Sequence, residues 1–296
     1  NATIFRIAPG DMSTPVRLDQ ELQQHVVRDP GPMETAARGF ISPLGESSEQ
    51  LQVQAAGISL VIAADRHRML PPAIIDKELI RRCDAITADE GRNVRGRERK
   101  RIREEVVNEL LPKAFVKSST TRVILDWSAG VVIVNTASKK AAESAISQIR
   151  MVLGSFPAVP LAPSEGPRVL LTDWLANGSL PTGLSLGDEC ELRDPATTTG
   201  AIARCRRQDL DGDEVKEHLR NGKQVFQLGL VFEDRISFVL GEDLVLRKLK
   251  FLDAVEDERA DGVDMAIESD LALYGLEIRR LFGRLSEIFA IQDVDA

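Results

Sequence analysis

The stretch GRNVRGRERKRIREEVVNELLPKAF, from Gly91 to Phe115, concentrates positive charge in a chain whose net charge is −8. Apolar residues follow the basic run at helical spacing and stop at Pro112, which predicts a helix ending at the proline. Local positive charge in an acidic protein is typical of a surface that meets a polyanion. Because glutamates interrupt the run, a solvated helix of mixed charge is the alternative interpretation. The basic residues are Arg92, Arg95, Arg97, Arg99, Lys100, Arg101 and Arg103.

Charge is uneven along the rest of the chain. Residues 66–103 hold 12 basic and 6 acidic residues, whereas residues 253–296 hold 4 basic and 12 acidic ones. One region can therefore attract a polyanion that the C-terminal region repels. The 296 residues are 43% hydrophobic and 28% charged, which is typical of a folded, soluble protein.

Apolar runs and cysteines indicate the compartment. The longest apolar runs, such as Ile58 to Ala64, are too short to span a bilayer, and the N-terminal residues do not resemble a secretory signal. Cys83, Cys190 and Cys205 are widely spaced and odd in number, which argues against a disulfide framework and a thiolate zinc site. These features predict a cytoplasmic protein.

The first half of the chain predicts strands interrupted by a helical excursion. One helix opens at Pro71-Pro72, with Ile74, Ile75, Leu79, Ile80 and Cys83 forming an apolar stripe, and Gly91 separates it from the basic helix. Two helices joined there predict a helical hairpin projecting from a sheet. The other predicted elements are strands at 3–7, 38–41, 58–64, 122–127 and 130–135, a helix over 18–27, and a helix over 138–153 with Ser138 as its N-cap.

The second half follows a proline-rich connection, Phe156 to Pro167, and predicts an antiparallel sheet. Val169 to Leu171 is expected to be extended, with Thr172 capping a short helical turn. The remaining predicted elements are strands at 184–192, 201–207, 223–232, 235–240 and 244–251, a short helix at 213–221 and a long helix at 265–291.

These patterns predict an α+β fold with antiparallel or mixed sheets and a projecting helical hairpin. The expected organisation has three regions: a central α+β region at 1–70 and 118–160, a helical projection at 71–117, and a base region at 161–296 with the antiparallel sheet and the C-terminal helix.

No pattern predicts catalysis or a cofactor. His25, His67 and His218 form no recognisable ligand pair, and no glycine-rich phosphate cradle is present. The acidic residues between 253 and 264 are typical of a solvated loop, yet they leave a metal-dependent nuclease open as an alternative. A protein-interaction scaffold that uses the C-terminal helix is a third hypothesis.

A second basic element lies on predicted strands. Arg204 and Arg206 are expected on one face of a strand, with Cys205 and Arg207 on the other, and Gln208 at the strand end. Guanidinium groups suit phosphate oxygens, and an amide adds a hydrogen bond. A solvent-facing strand kept soluble by arginine explains the same pattern.

Lysines on a later strand extend this basic surface. Lys248 and Lys250 are expected to continue the positive face, with Leu249 and Phe251 directed into the core. No aromatic residues alternate with the basic ones, which favours contact with a duplex backbone over base stacking.

Several segments together resemble the RdgC family of bacterial recombination-associated proteins. Their order and spacing agree across nearly the whole chain, although members of the family begin with a few more residues before the first strand. The segments are LLPKAF (110–115), VVIVNTASKKAAE (131–143), LGSFPAVPL (153–161), LTDWLANG (171–178), RRQDL (206–210) and LRKLKF (246–251).

The resemblance implies a nucleoid-associated protein of the cytoplasm without catalytic activity. It further implies a ring-shaped homodimer that encircles double-stranded DNA with little sequence preference and restrains RecA. The helical projection would form a gate contact between subunits supported by Phe115, and Arg207 and Gln208 would contribute to DNA binding.

The leading hypothesis is therefore non-specific binding of double-stranded DNA, with single strands as a further ligand, by a homodimer without metal, cofactor or membrane contact. The expected phosphate-binding residues are Arg204, Arg206, Arg207, Gln208, Lys248 and Lys250, joined by Arg97, Arg99, Lys100 and Arg101 of the basic helix.

Overall fold

The structure of the protein, a computed structural model, describes residues 1–7, 14–196, 200–258 and 266–292. The chain forms two compact units. The first contains Asn1–Leu22, Ser42–Ile62 and Thr121–Ala296, and the second contains Gln23–Ile41 and Ala63–Thr120. The three regions inferred from the sequence stay a prediction.

The described residues form a mixed α+β fold, as the sequence predicted. The elements are β1 (Thr3–Ile7), α1 (Thr14–Leu22), β2 (Ala36–Ile41), β3 (Gln52–Ala55), β4 (Ile58–Met69), α2 (Pro72–Glu90), α3 (Gly96–Leu110), β5 (Phe115–Asp126), β6 (Val131–Val134), α4 (Lys139–Leu153), β7 (Ala158–Pro160), α5 (Pro167–Asn177), β8 (Leu184–Arg193), β9 (Ile202–Arg206), α6 (Asp213–Arg220), β10 (Gln224–Phe232), β11 (Ile236–Gly241), β12 (Leu246–Phe251), α7 (Asp253–Glu256) and α8 (Ala266–Ile288).

Two sheets organise these elements. A seven-stranded sheet has the order β2-β4-β5-β6-β1-β7, with β3 beside β4. A five-stranded sheet has the order β12-β11-β10-β8-β9, and its paired strands are all antiparallel. The five strands of this second sheet agree with the sequence prediction, whereas β3 was not anticipated.

Helices α5 and α8 share a buried core with the five-stranded sheet. Alternate residues of β10, Leu228, Leu230 and Phe232, belong to this core, and the rings of Trp174 and Phe289 pack with centroids 5.8 Å apart. Burial of these large side chains removes apolar surface from water and fixes the sheet face that remains available for other contacts.

Helix α5 corrects the prediction for residues 169–171. These residues are helical, because Pro167 occupies the first turn and Leu171 is fully buried. Thr172 does not cap a helix. Its hydroxyl donates to the Arg168 carbonyl at 2.7 Å and accepts from the Val225 amide at 2.9 Å, which ties α5 to β10.

The second unit contains helices α2 and α3. Ile75, Leu79 and Cys83 of α2 share a buried cluster with Ile102 and Val106 of α3. Helix α2 ends at Gly91, which takes the left-handed conformation (φ 66°) that glycine adopts without strain.

The predicted apolar stripe of α2 is too wide. Ile74 and Ile80 are about half exposed, at 51% and 50%, because the partner helix covers only the narrower line of Ile75, Leu79 and Cys83. No helix in the described part of the chain has the length and apolar character needed to cross a membrane.

A buried carboxylate links the first sheet to α8. Asp126 of β5 is 1% exposed and accepts from Arg279 Nε at 2.6 Å and Arg279 Nη2 at 2.9 Å. The same carboxylate accepts from the Ser128 hydroxyl and the Ala129 amide. Arg279 is therefore the counter-ion of a charge that has little access to water.

We expect Arg279→Met to lower the free energy of unfolding by about 3 kcal/mol, since it leaves a buried carboxylate without its counter-ion. Chemical denaturation of the purified protein measures this loss. Arg284→Met on the same helix is the control, because its partner Glu287 is 70% exposed and such pairs contribute about 1 kcal/mol or less. Equal losses of unfolding free energy in the two variants would contradict the role of Arg279 as the counter-ion of Asp126.

Candidate nucleic-acid interface

Strand β9 carries the predicted arginine pair on the edge of the five-stranded sheet. Arg204 and Arg206 are exposed and alternate with Cys205, which packs against the core opposite Cys190. The alternation predicted for these residues is correct as far as Arg206. Arg207 departs from it because the strand ends and its φ is +54°.

A groove of about 750 Å³ crosses the face of this sheet that points away from the core. We call it the sheet groove, and its basic and amide lining residues are Arg207, Gln208, Lys248 and Lys250. The fold therefore brings together the RRQDL segment and the lysines of β12, which are about 40 residues apart in sequence. Leu249 and Phe251 pack against the core, as expected for residues alternating with the two lysines.

Two glycines form the floor of the sheet groove. Strands β8 and β10 shift register near Leu228 and Leu230, and Gly187 and Gly229 approach each other there. A Cβ at Gly229 would lie 2.9 Å from the Glu189 carbonyl oxygen, and one at Gly187 would lie 3.0 Å from the Gly229 carbonyl carbon. The absence of side chains on these residues lets the strands approach closely and leaves open space above the floor of the groove.

Carboxylates accompany the basic residues of this face. Arg204 Nε lies 2.6 Å from Glu191, and Arg193 Nη2 lies 2.5 Å from the same carboxylate. Burial raises the pKa of Glu191, but hydrogen bonds from Arg204 and Arg193 outweigh it, so the pKa lies below its ordinary value. Glu191 is therefore an ionised anchor for both arginines.

Glu189 occupies the sheet groove itself. Its Oε2 contacts Lys248 Nζ closely and lies 3.9 Å from Arg206 Nε. The groove lining contains three basic residues and three acidic ones, the latter being Asp188, Glu189 and Asp209. The basic and acidic residues of the groove lining are therefore equal in number, and the lining has no excess of positive charge.

Sequence reasoning missed Glu189, Glu191 and the two floor glycines. Glu189 and Glu191 alternate along β8, and they lie opposite Arg206 and Arg204 in the β8–β9 register. The alternation is readable in LSLGDECELR, but pairing it with the arginines requires a register that the sequence does not fix.

The basic helix α3 is in the second unit, and most of its cations have partners. Lys100 and Arg101 contact Glu104 and Glu105, four residues further along the helix, at 3.9 and 3.4 Å. Arg99 lies 3.8 Å from the Cys83 sulfur. Ion pairs across one helix neutralise part of the positive run that the sequence displays.

Phe115 begins β5 and is 83% exposed, and Val116 beside it is 38% exposed. Phe115 is therefore not a core residue of its own chain. The exposed ring of Phe115 provides an apolar contact surface.

The acidic segment proposed for metal binding is partly described. Glu256 accepts from the Tyr274 hydroxyl at 3.0 Å, and Glu258 accepts from Arg235 at 2.8 Å. Asp261 and Asp264 lie outside the described residues. Within the described ranges, no three His, Cys, Asp or Glu side chains cluster as a metal site.

Comparison with known proteins identifies the family. The profile of the RdgC family, described as "Putative exonuclease, RdgC", matches residues 1–292. The "Recombination-associated protein RdgC" of Xanthomonas campestris pv. campestris (strain B100) is 42% identical over 302 residues, covering 100% of this chain and 99% of the relative. Relatives of the same name from Xanthomonas axonopodis pv. citri (strain 306) and Xylella fastidiosa (strain M23) are each 44% identical over 288 residues, covering 95% of this chain and 94% of the relative.

The chain therefore belongs to the RdgC family of recombination-associated proteins. The resemblance found in the sequence is confirmed over the whole chain.

We expect Gly229→Ala to lower the free energy of unfolding by about 2 kcal/mol, because the new methyl group collides with the β8 backbone. Gly283→Ala is the matched control. A Cβ at Gly283 meets nothing within 4 Å, and the substitution should raise the free energy by about 0.5–1 kcal/mol in a helix. Chemical denaturation measures both, and a neutral Gly229→Ala would contradict the close approach of the two strands.

Proposed function

We propose that the protein binds double-stranded DNA through backbone phosphates with little sequence preference. The observation that supports this most is the convergence of Arg207, Gln208, Lys248 and Lys250 on the sheet groove. A guanidinium, an amide and two ammonium groups held on a sheet suit phosphate oxygens, and such contacts carry no direct sequence information. The recombination-associated relatives agree with a DNA ligand.

The proposal extends to the assembly. A ring-shaped homodimer would encircle the duplex, with helices α2 and α3 as the gate and Phe115 in the contact between subunits. The 83% exposure of Phe115 supports this role, because burial against a second copy removes its ring from water. Arg97, Arg99, Lys100 and Arg101 of α3 would add electrostatic attraction toward DNA.

The biological consequence follows from occupancy of the DNA. In this proposal the protein is cytoplasmic and associated with the nucleoid, where it covers duplex DNA. It restrains RecA-dependent strand exchange because it competes with RecA for the DNA. Single strands are a further ligand of the same basic groups. No catalytic step is part of this proposal.

We expect binding to random-sequence duplexes to fall steeply with salt, with a log–log slope of about −0.9 for each phosphate neutralised. Arg207→Ala combined with Gln208→Ala should weaken binding to all sequences equally and reduce the slope by about 0.9, because one cation is lost. Fluorescence anisotropy measures both quantities, and Arg220→Ala on α6 is the control for general charge loss. Affinity that does not change with salt would overturn the proposal.

A gel experiment separates this proposal from the nuclease and scaffold hypotheses. Linear duplex and plasmid incubated with Mg²⁺ should stay intact while being retarded in a gel. Degradation would support the nuclease that the family description names. DNA that is neither retarded nor degraded would support a protein-interaction scaffold.

We expect Phe115→Ala to shift the protein from dimer to monomer at low concentration, since the substitution removes the main apolar contact between subunits. Analytical ultracentrifugation across a dilution series measures the shift. Met151→Ala is the control, because Met151 is 64% exposed on α4, outside the proposed gate. A Phe115→Ala protein that stays dimeric at every dilution would contradict the gate contact.

A further inference from the structure

We propose that Glu189 is an internal substitute for a DNA phosphate: in the free protein it holds Lys248 of the sheet groove and the neighbouring Arg206, and these two cations exchange Glu189 for the DNA backbone. This inference rests on the proposed function and assigns a regulatory residue to the same groove. It makes Glu189 a determinant of how tightly DNA is held, although Glu189 itself would not bind DNA.

The first argument is the geometry around one oxygen atom. Glu189 Oε2 contacts Lys248 Nζ and also lies 3.9 Å from Arg206 Nε. Lys248 comes from β12 and Arg206 from β9, the two edge strands of the sheet. An anionic oxygen between an ammonium and a guanidinium group has the surroundings that a phosphate oxygen takes in a protein–DNA contact.

The second argument is the route by which Lys248 reaches Glu189. Strands β11 and β10 lie between β12 and β8, so the two side chains meet across a span of about 14 Å of sheet. Gly229 of β10 leaves this route open, because a Cβ there would lie 3.3 Å from Glu189 Cγ. The missing side chain thus accommodates a carboxylate lying along the groove.

The third argument is the difference in exposure. The Glu189 side chain is 18% exposed, whereas Lys248 and Arg206 are 54% and 66% exposed. The cations can therefore turn toward an incoming polyanion while the carboxylate stays near the sheet. Because both cations are more than half exposed, solvent screens their attraction to Glu189, and exchanging the carboxylate for a phosphate costs them little free energy.

Glu191 shows what a purely structural carboxylate looks like on the same strand. It is held by Arg193 and Arg204, and Arg193 also lies over the Phe226 ring with its guanidinium carbon 4.8 Å from the centroid. Glu191 is not part of the groove lining. Glu189 is, so of these two carboxylates only Glu189 places its charge inside the groove.

Removal of the Glu189 charge should therefore tighten binding. We expect Glu189→Gln to bind random-sequence duplex about fivefold more tightly than the unmodified protein at moderate salt, because Lys248 and Arg206 are released. The log–log salt slope should become steeper by about 0.9 for each cation released to a phosphate. Glu214→Gln on α6 is the control for a general loss of negative charge, since Glu214 is exposed and outside the groove.

The double variant Glu189→Gln with Lys248→Gln tests the route of the effect. Lys248→Gln alone is the reference, because loss of Lys248 weakens binding by itself. If Glu189 acts through Lys248, Glu189→Gln should give much less gain in the Lys248→Gln background than in the unmodified protein. Glu189→Ala provides a second way to remove the charge, and cooperative thermal unfolding of each variant establishes that it is folded.

The outcomes separate the two proposals. Tighter binding by Glu189→Gln and Glu189→Ala, but not by Glu214→Gln, supports the exchange. Binding by the Glu189 variants that equals that of Glu214→Gln, or is weaker than that of the unmodified protein, overturns it, while salt-dependent binding by the unmodified protein leaves the proposed function standing. Absence of DNA binding by all variants overturns both.

Discussion

The close approach of β8 and β10 is the constraint on which the candidate interface depends. These strands pair antiparallel through the middle of the five-stranded sheet, and their register shifts where Gly187 and Gly229 meet. One face of the pair carries the core residues that pack under α5 and α8. The other face has no side chains at the two glycines, so polar groups from both edges of the sheet can lie across it.

Much of the fold can be predicted from the sequence because its signals are local. The five strands of the second sheet follow from period-two patterns and turn residues, and the end of α2 follows from Gly91. The wrong prediction at residues 169–171 has a tertiary cause, because a short apolar run after prolines resembles a strand, whereas burial of Leu171 and the hydrogen bond of Thr172 to β10 hold it in a helix. Intrinsic secondary-structure propensity is a weak guide where tertiary packing determines the conformation.

The candidate site is less predictable because it depends on register and on ion pairing. Alternation predicts that Arg204 and Arg206 share a face, but it does not reveal that Glu191 and Glu189 lie opposite them. A local excess of basic residues in the sequence therefore overstates the free positive charge, in the sheet as in α3. The positive φ of Arg207 is likewise set by the turn that follows β9 and not by a recognisable sequence signal.

The bond between Asp126 and Arg279 also bears on the order of folding events. It joins residues 153 positions apart, so it forms only after a long stretch of chain has been closed into a loop. Contacts of this kind generally consolidate late and are weak in the transition state. Their loss then appears mainly as faster unfolding, while the refolding rate changes little. Arg279 would in this way extend the lifetime of the folded chain.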